Sequence, residues 1–315
     1  MPQIKAKTWN RLNVTNLYID AQLIGQKHTF MFEGRKICIL LPTKEVANEN
    51  RPRNDTAHVV EYWSATNEPT TYSINQIDIE IEILGKISIP EVALSHPPTQ
   101  YEAFTKEEQL TAQDITKQHS ILAERVLEYW LEILRWTSGY ALIGKPAISS
   151  VQSGWATYIC SEDENKRVWG GSRTIVVPWN PPVTLLAWES ASQKLVDNEK
   201  LPIHLRFLHE AENSIEHQQI EKSVIETAMA CETFLRYTVL QSIPASLQNE
   251  ITKYIEEANI NKYVTQFFKS VIPEDQAEKY KEISRELSSL FSRRNSYIHM
   301  GIIPQTDNTR CIEFI

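Results

Sequence analysis

Cysteine is scarce in this chain, which limits covalent and metal-based stabilisation. The 315 residues contain four cysteines, far apart and without a CxxC pair, at Cys38, Cys160, Cys231 and Cys311. A disulfide framework or a zinc knuckle needs cysteines at short, regular spacings. The sequence therefore predicts four buried, unpaired thiols, and it indicates no metal ion and no cofactor.

Long apolar runs are absent as well. A membrane-spanning helix requires roughly 20 consecutive apolar residues, and no segment of the sequence approaches that length. The N-terminal stretch MPQIKAKTWN also lacks the apolar core of a signal peptide. These two absences favour a cytoplasmic protein without a membrane partner.

Positive charge is in deficit. The formal net charge is −8, and from Leu201 onward 12 lysines and arginines face 16 aspartates and glutamates. Proteins that coat nucleic acid regardless of sequence depend on many Lys and Arg contacts to phosphate. The charge argues against that class, so that any contact with a nucleic acid must be local.

The remaining composition is that of a folded protein with more than one domain. Hydrophobic residues make up 42% of the chain and charged residues 23%, and a single core rarely extends over so many residues. We predict an α+β protein with three parts. They are a β-rich N-terminal domain over residues 1–100, a mixed α/β region over residues 101–200 and an all-α helical bundle over residues 201–315.

The β prediction for the N-terminal part depends on a period of two. In the segment INQIDIEIEIL, isoleucines alternate with acidic residues from Ile77 to Ile83, which is typical of a strand with one buried and one solvated face. Three further segments, HTFMFEG, RKICILL and TAHVVEYWSAT, also favour strands. Together they predict an antiparallel sheet or a small barrel.

The middle region combines a helix with a hairpin. Proline-rich residues 90–100 indicate a linker, and apolar residues at helical spacing predict a long helix from Glu107 to Tyr140. The segments GWATYIC and SRTIVVPW predict two short strands, with Gly170-Gly171 as a turn signal between them. Whether this region continues the first domain or stands apart is left open.

From Leu201 the sequence predicts only helices. The segments LPIHLRFLHEAENSIEH, QQIEKSVIETAMACETFLRYTVL, SLQNEITKYIEEA and KYVTQFFKSV precede a last helix over DQAEKYKEISRELSSLFSRRNSYIHM. The last helix carries an apolar stripe that should pack into the bundle. Gly301 follows as the residue expected to end this helix. The stripe consists of Tyr280, Ile283, Leu287, Leu290 and Phe291.

Two short segments approach known ligand-binding motifs without completing them. GYALIGKP, from Gly139 to Pro146, has a proline where a phosphate-binding loop needs Ser or Thr, and it follows a helix, so that a helix C-cap and loop are predicted. HEAEN, from His209 to Asn213, lacks the second histidine of a zinc-binding helix. We interpret His209, His204 and His217 as solvated helix histidines.

The end of the last helix concentrates polar groups suited to chemistry. Arg294 and His299 are five residues apart, which places them about 140° out of phase on a straight helix. Asn295 precedes His299 by four residues, so its amide can reach the imidazole along one face. Since one copy does not aim both groups at one phosphate, a second protomer related by a two-fold axis could complete the site.

This helix end resembles the Arg, four to six residues, His motif of the HEPN superfamily, the "higher eukaryote and prokaryote nucleotide-binding" domains. The matching residues are Arg294-Asn295, then Ser296–Ile298, then His299, with Gly301 two positions on. The upstream stretch LRFLHEAENSIEHQQIEKSVIETAMACETFLRY is similar to the opening helical hairpin of that family. The resemblance covers roughly residues 201–301, about a third of the chain.

The resemblance implies a metal-independent endoribonuclease. Histidine transfers protons near neutral pH and arginine holds phosphate oxygens. His299 is therefore expected to act in proton transfer, Arg294 on the phosphate and Asn295 in orientation, while Arg293 is a weaker candidate for contact with the RNA backbone. Arg294 and His299 also have a structural interpretation, since Arg and His favour the C-terminal end of a helix, and Arg293 in its turn can be simply solvated.

Glu232 matches the glutamate that the second helix of the family commonly carries. It is a candidate supporting residue of the active site. An ion pair with Arg236, four residues on, explains Glu232 equally well as a structural residue on an exposed helix face.

The family also implies partners. They are an RNA substrate, a second copy bound through the helical domain, and a phage-derived trigger or an antitoxin that acts on the N-terminal region as a sensor. Roles in abortive infection, other anti-phage defence or a toxin–antitoxin pair follow from the resemblance alone. The alternative is a non-catalytic helical module for dimerisation or nucleotide binding.

Overall fold

The chain forms an α+β protein with two compact units, Met1–Lys200 and Leu201–Ile315. The structure is a computed structural model that describes residues 3–4, 6–43, 57–63, 68–85, 87–88, 105–145, 155–160, 167–173, 181–242, 244 and 274–300. In the first unit the described strands are β1 (Gln3–Ile4), β2 (Lys7–Asp20), β3 (Lys27–Phe32), β4 (Arg35–Leu40), β5 (Ala57–Trp63), β6 (Glu68–Glu82), β7 (Ile87–Ser88), β8 (Trp155–Cys160) and β9 (Arg167–Arg173). Its described helices are α1 (Lys106–Ser138) and α2 (Leu185–Val196).

Strand β6 is the central strand of a five-stranded antiparallel sheet. One edge of β6 pairs with β2, and the other pairs with β4 and β5, while β3 lies outside β4. The predicted alternation in β6 is confirmed, because Ile77, Ile79 and Ile81 are buried while the acids between them face outward. Each buried isoleucine contributes about 1.5–3 kcal/mol. The other three predicted strands correspond to β3, β4 and β5.

Strand β2 pairs with nearly the whole of β6, yet no predicted strand covers it. Its buried side chains change from even to odd positions, with Val14 before and Leu17 and Ile19 after a bulge. Within the bulge, Asn16 has a φ of 55°, and its side-chain amide donates to the Leu142 carbonyl at 3.0 Å. A bulge adds a residue to one strand, so the alternation of buried and exposed side chains is interrupted in the middle of β2.

Helix α1 covers the buried face of the sheet. It begins with a capping box, in which Thr105 Oγ1 accepts from the Glu108 backbone N–H and the Glu108 carboxylate accepts from the Thr105 N–H. It ends at Gly139, whose φ of 74° is left-handed. Val126, Trp130 and further residues of α1 share one hydrophobic core with the sheet and α2. Residues of the middle region therefore complete the N-terminal core.

A buried histidine lies at the junction of β3, α1 and α2. The side chain of His28 is 2% exposed, and its Nδ1 accepts a hydrogen bond from Trp130 Nε1 at 2.9 Å. The proton is therefore on Nε2, which donates to the Trp188 carbonyl at 3.2 Å, and the imidazole stacks on the Trp188 ring at 3.6 Å. Burial lowers the pKa of His28 to about 4, so this histidine is neutral in the folded protein.

The predicted hairpin exists, but its second strand begins earlier than predicted. Strand β8 pairs with β9 over Arg167–Arg173, which shares Ser172 and Arg173 with the segment SRTIVVPW, and residues 174–179 lie outside the described residues. Gly170 and Gly171 lie opposite Tyr158 and Thr157 within this ladder, so they are not the turn. Glycine permits a turn without requiring one, and here the two glycines lie in extended backbone.

The second unit contains three described helices, α3 (Ile203–Glu216), α4 (Ile220–Ser242) and α5 (Ala277–Met300), with a 3₁₀ turn at Glu274–Gln276 before the last. Helices α3 and α4 form an antiparallel hairpin, since His204 contacts the ring of Phe234 and Ser214 donates to Glu226 near the connection. The predicted helices in these ranges are confirmed. Of the stripe on α5, Leu290 and Phe291 are buried, whereas Ile283 is exposed.

Other predictions fall partly or wholly outside the described residues. The linker over residues 90–100, the helices over residues 246–258 and 262–271, and Gly301 all lie there. Cys38 and Cys231 are free thiols that are only partly buried, and burial raises the pKa of Cys231. In the described part of the chain, no helix has the length and apolar character that crossing a membrane requires.

Candidate active site

A small apolar core holds α5 against α4. Leu290 and Phe291 of α5 are buried in it. Arg294 follows Leu290 by four residues and therefore lies on the same side of α5. The guanidinium of Arg294 consequently extends along α4. The buried residues of α4 in this core are Val224, Ala228 and Val239.

Glu232 of α4 lies between two arginines. Its Oε1 accepts hydrogen bonds from Arg236 Nε at 3.2 Å and from Arg236 Nη2 at 2.8 Å. Its Oε2 lies 3.9 Å from Nη2 of Arg294. The side chains of Glu232, Arg236 and Arg294 are 22%, 23% and 30% exposed. Two guanidinium groups thus share one partly buried carboxylate, and the closer contact belongs to Arg236.

The predicted ion pair between Glu232 and Arg236 is therefore present. Its setting differs from the expected exposed helix face, because all three charged side chains are mostly withdrawn from water and Arg294 joins the pair from another helix. Partial burial strengthens charge–charge interactions relative to water. These three side chains, Glu232, Arg236 and Arg294, are called the arginine–glutamate cluster below.

Asn295 contacts Arg294 and not His299. Arg294 Nη1 donates to Asn295 Oδ1 at 3.2 Å, and the Asn295 side chain is exposed. The bond predicted between the Asn295 amide and the His299 imidazole is not formed between these two described residues. In this arrangement the side-chain oxygen of Asn295 orients the guanidinium of Arg294.

His299 lies apart from Arg294. Helix α5 continues through Met300, so the two side chains keep the phase difference of about 140° expected on a regular helix. Arg294 faces Glu232, whereas His299 is exposed and has no hydrogen-bonding partner among the described residues. A single copy of α5 therefore does not aim both groups at one phosphate.

Arg293 is not the solvated residue that the sequence suggested. It is 7% exposed and makes contacts within the protein. A guanidinium withdrawn from solvent in this way serves the packing of α5, and it is a poor choice for a surface contact with an RNA backbone. The predicted RNA-binding role of Arg293 does not fit this burial.

The histidines of α3 also differ from expectation. His209 is 8% exposed and is thus buried, not solvated. His204 is partly buried against Phe234 and Tyr237, with ring centroids 5.1 and 6.1 Å away. His217 donates from Nδ1 to the Asn213 carbonyl at 2.8 Å and so caps the end of α3. These histidines have structural roles that the sequence pattern did not indicate.

The segment that resembled a phosphate-binding loop is a helix end, as predicted. Gly139 follows α1 in the left-handed conformation and its N–H donates to the Arg135 carbonyl. Gly144 then donates to the Thr15 carbonyl at 3.0 Å, which ties the loop to the bulge of β2. The two glycines therefore have structural roles: Gly139 ends α1, and Gly144 anchors the loop that follows.

Arg236 is the residue of this site whose contribution the sequence left undefined. It appears in the sequence only as an ion-pair partner of Glu232. The structure adds that Glu232 also faces Arg294, which makes Arg236 part of a three-member cluster between two helices. The family resemblance linked Glu232 to the active site, but no sequence signal included Arg236, because the three-member cluster depends on how α5 packs on α4.

Chemically, the arginine–glutamate cluster can bind an oxyanion. Arginine offers several N–H donors in a planar fork that matches phosphate oxygens, and two guanidinium groups against one carboxylate leave a net positive charge within these three groups. The exposed imidazole of His299 adds a group that can accept or donate a proton. Among the described residues, no group of His, Cys, Asp and Glu is placed to hold a metal ion.

Two open grooves in the described part of the first unit do not involve these residues. One of about 400 Å³ lies on the outer face of the sheet beside Lys7, Lys36 and Glu80. The other, of about 430 Å³, lies beside Tyr140 and the start of α2.

Comparison of the chain with protein families, with curated proteins and with solved structures finds no match. The function is therefore inferred from the residues of the chain and their geometry.

Proposed function

We propose that the second unit is a metal-independent endoribonuclease of the HEPN type, regulated by the N-terminal unit. The observation that carries the proposal is the position of Arg294 on α5. Its partly exposed guanidinium lies beside Glu232 of α4, and α5 itself ends with an exposed His299. A phosphate-binding group with a nearby carboxylate and a proton-transfer group thus occur on the last two turns of α5 and the facing part of α4, with His299 on a different side of α5 from Arg294. The sequence resemblance of this helix end to the HEPN motif agrees with that chemistry.

Each group has a defined task in RNA cleavage without a metal ion. The 2′-hydroxyl of the substrate attacks the adjacent phosphorus while its proton is removed, and the departing 5′-oxygen takes up a proton. His299 accepts or donates one of these protons, and solvent water exchanges the other, so that no proton is gained or lost overall. Arg294 binds the non-bridging oxygens, on which negative charge increases in the transition state. Asn295 holds the guanidinium of Arg294 in place.

The geometry of α5 makes a dimer part of the proposal. Arg294 and His299 point to different sides of the helix, about 140° apart, so one copy supplies an incomplete set. In a two-fold symmetric dimer each site would combine Arg294 of one copy with His299 of the other. The required partner is therefore a second copy of this chain.

Cleavage in a chelator tests the activity. Purified protein is incubated with mixed RNA in EDTA, and the products are resolved by electrophoresis. The His299→Ala variant should lose about 100-fold or more of the rate, as expected for removal of a general acid or base. The matched control is His217→Ala, which removes a histidine from another helix end of the same unit and should retain activity. Absence of products from the wild-type protein, or equal rates for both variants, would contradict the proposal.

Mixing two inactive variants tests the composite site. Arg294→Ala and His299→Ala copies are each inactive, but a mixed dimer contains one intact site and one doubly altered site. With random exchange half of the dimers are mixed, so the mixture should recover about a quarter of the wild-type activity. Recovery of no activity, although native mass spectrometry shows mixed dimers, would place both groups in the same copy.

A second candidate is a non-catalytic module for dimerisation or nucleotide binding. The observation that favours it is the contact of Arg294 with Glu232 and Asn295, which would also be made by a purely structural arginine. This candidate predicts nucleotide or RNA binding without cleavage under any condition. The chelator experiment separates the two candidates when binding and product formation are measured in parallel.

The biological setting is proposed on the resemblance alone. A nuclease that cleaves cellular RNA must be held inactive until it is needed, and a separate N-terminal unit suits a sensor for a phage-derived trigger or an antitoxin. Abortive infection and toxin–antitoxin pairs are settings of that kind.

A further inference from the structure

Arg236 contacts the carboxylate that also faces Arg294, and no role has yet been assigned to it. Both Nε and Nη2 of Arg236 donate to the same oxygen of Glu232, at 3.2 and 2.8 Å. The other oxygen of Glu232 faces Arg294 Nη2 at 3.9 Å. Glu232 is therefore bonded to one arginine and merely adjacent to the other.

The difference between these two contacts determines how available Arg294 is. Charge-assisted hydrogen bonds between guanidinium and carboxylate groups have lengths of about 2.7–2.9 Å. Arg236 makes such a bond, whereas Arg294 is about 1 Å beyond this range. A carboxylate that closed this gap would occupy donors of Arg294 that a phosphate needs.

We propose that Arg236 is a positioning residue, which holds Glu232 away from Arg294 and so keeps the Arg294 guanidinium available to a phosphate group. The inference rests on the proposed function only in taking Arg294 as the phosphate-binding group. Arg236 acts through Glu232 and is not itself in contact with the substrate.

The local chemistry supports this division of roles. Arg236 and Glu232 are four residues apart on α4, so backbone geometry keeps them together. Arg294 comes from α5, and its Nη1 is already directed by Asn295. With Arg236 removed, Glu232 has one remaining arginine close by within the arginine–glutamate cluster, and a side-chain rotation suffices to pair with it.

Binding of anions to the wild-type protein and five variants tests the inference. The probes are inorganic pyrophosphate, followed by calorimetry, and a fluorescent oligoribonucleotide with 2′-O-methyl groups at every ribose, followed by anisotropy. The second probe lacks the attacking 2′-hydroxyl and remains uncleaved. Arg236→Gln should weaken binding of both probes about 10-fold, which is the effect expected from one lost charge-assisted contact.

The double variant distinguishes positioning from direct contact. In Arg236→Gln combined with Glu232→Gln, the neutral amide no longer competes as a carboxylate, so affinity should return to within about 2-fold of the Glu232→Gln variant alone. Arg236→Lys retains a cation beside Glu232 and should bind nearly as well as wild type. The matched control Arg285→Gln removes an exposed arginine of α5 and should leave binding unchanged. Thermal unfolding of each variant confirms that it is folded.

Several outcomes overturn the inference. Unchanged binding by Arg236→Gln would show that Arg236 does not influence Arg294, and an equal loss in the single and double variants would show that Arg236 contacts the anion directly. Failure of the wild-type protein to bind either probe would remove the anion site altogether. Cleavage of ordinary RNA is measured separately: the expected binding pattern without cleavage leaves this inference standing and refutes the nuclease, whereas cleavage with unchanged binding refutes this inference alone.

Discussion

The buried imidazole of His28 makes the stability of the first unit depend on pH. Burial lowers the pKa of His28 to about 4 in the folded chain, while an unfolded histidine has its ordinary value of about 6.5. The unfolded chain therefore binds a proton that the folded chain excludes between these two pH values. The free energy of unfolding should be constant above about pH 6.5 and should fall as the pH falls from about 6.5 to about 4.

The size of this effect follows from the two pKa values. A difference of about 2.5 units corresponds to about 3 kcal/mol, lost with a slope of up to about 1.4 kcal/mol per pH unit. The loss has a structural cause. Protonation of Nδ1 destroys the acceptor for Trp130 Nε1 and places a charge in a site that is 2% exposed to water.

Urea unfolding between pH 7.5 and 4.5 measures this slope. All eight tryptophans precede residue 200, so tryptophan fluorescence reports on the first unit alone. His28→Gln retains a donor and an acceptor but no titrating group, and its free energy of unfolding should fall less steeply than that of the wild type. The titration of His119, whose pKa is also lowered by burial, is common to both proteins and cancels. Parallel curves for wild type and His28→Gln would refute the reasoning.

Two backbone features of the first unit give further predictions. Gly144 and Gly34 both have a φ of 75°, but a Cβ at Gly144 would lie 2.6 Å from Leu131 Cδ1, whereas Gly34 has open space. Gly144→Ala should therefore lower the free energy of unfolding by about 1–3 kcal/mol more than Gly34→Ala, and equal losses in urea unfolding would show that Leu131 moves aside. Thr105→Ala removes the capping box with Glu108 at the start of α1 and should cost about 1 kcal/mol, while Thr105→Ser should retain most of it. Urea unfolding is again the measurement, and an equal loss in both variants would assign the effect to the methyl group of Thr105.

Elements with an uninterrupted period were predictable from the sequence. Strand β6 alternates without a break, and α1 combines a long 3.6-residue pattern with a capping box and a terminal glycine. Strand β2 was missed because its bulge moves the buried side chains from even to odd positions. Strand β9 was placed too late, because the pair Gly170-Gly171 signals a turn in sequence but takes part in a ladder in the structure.

The candidate site shows the same division between local and tertiary information. The ion pair of Glu232 and Arg236 was predictable, because it lies within one helix at a spacing of four residues. The burial of Arg293 and the approach of Arg294 to Glu232 depend on what packs against α5, and the sequence of α5 does not contain this information. The spacing of four residues predicted a bond between Asn295 and His299, whereas Asn295 accepts a hydrogen bond from Arg294.

The packing of α5 also restricts how any chemistry at its end can work. Leu290 and Phe291 define the buried side of the helix, and Arg294 lies near the middle of that side in helical phase, whereas His299 lies about 130° from the middle. The residue suited to holding a phosphate thus faces α4, 3.9 Å from Glu232, and the residue suited to moving a proton is exposed. Under the proposed function, a second copy of the chain brings its His299 to the Arg294 of the first. If the proposed nuclease is correct, control of dimerisation would control its activity, and dilution of the protein below the dissociation constant of the dimer should lower the activity per chain.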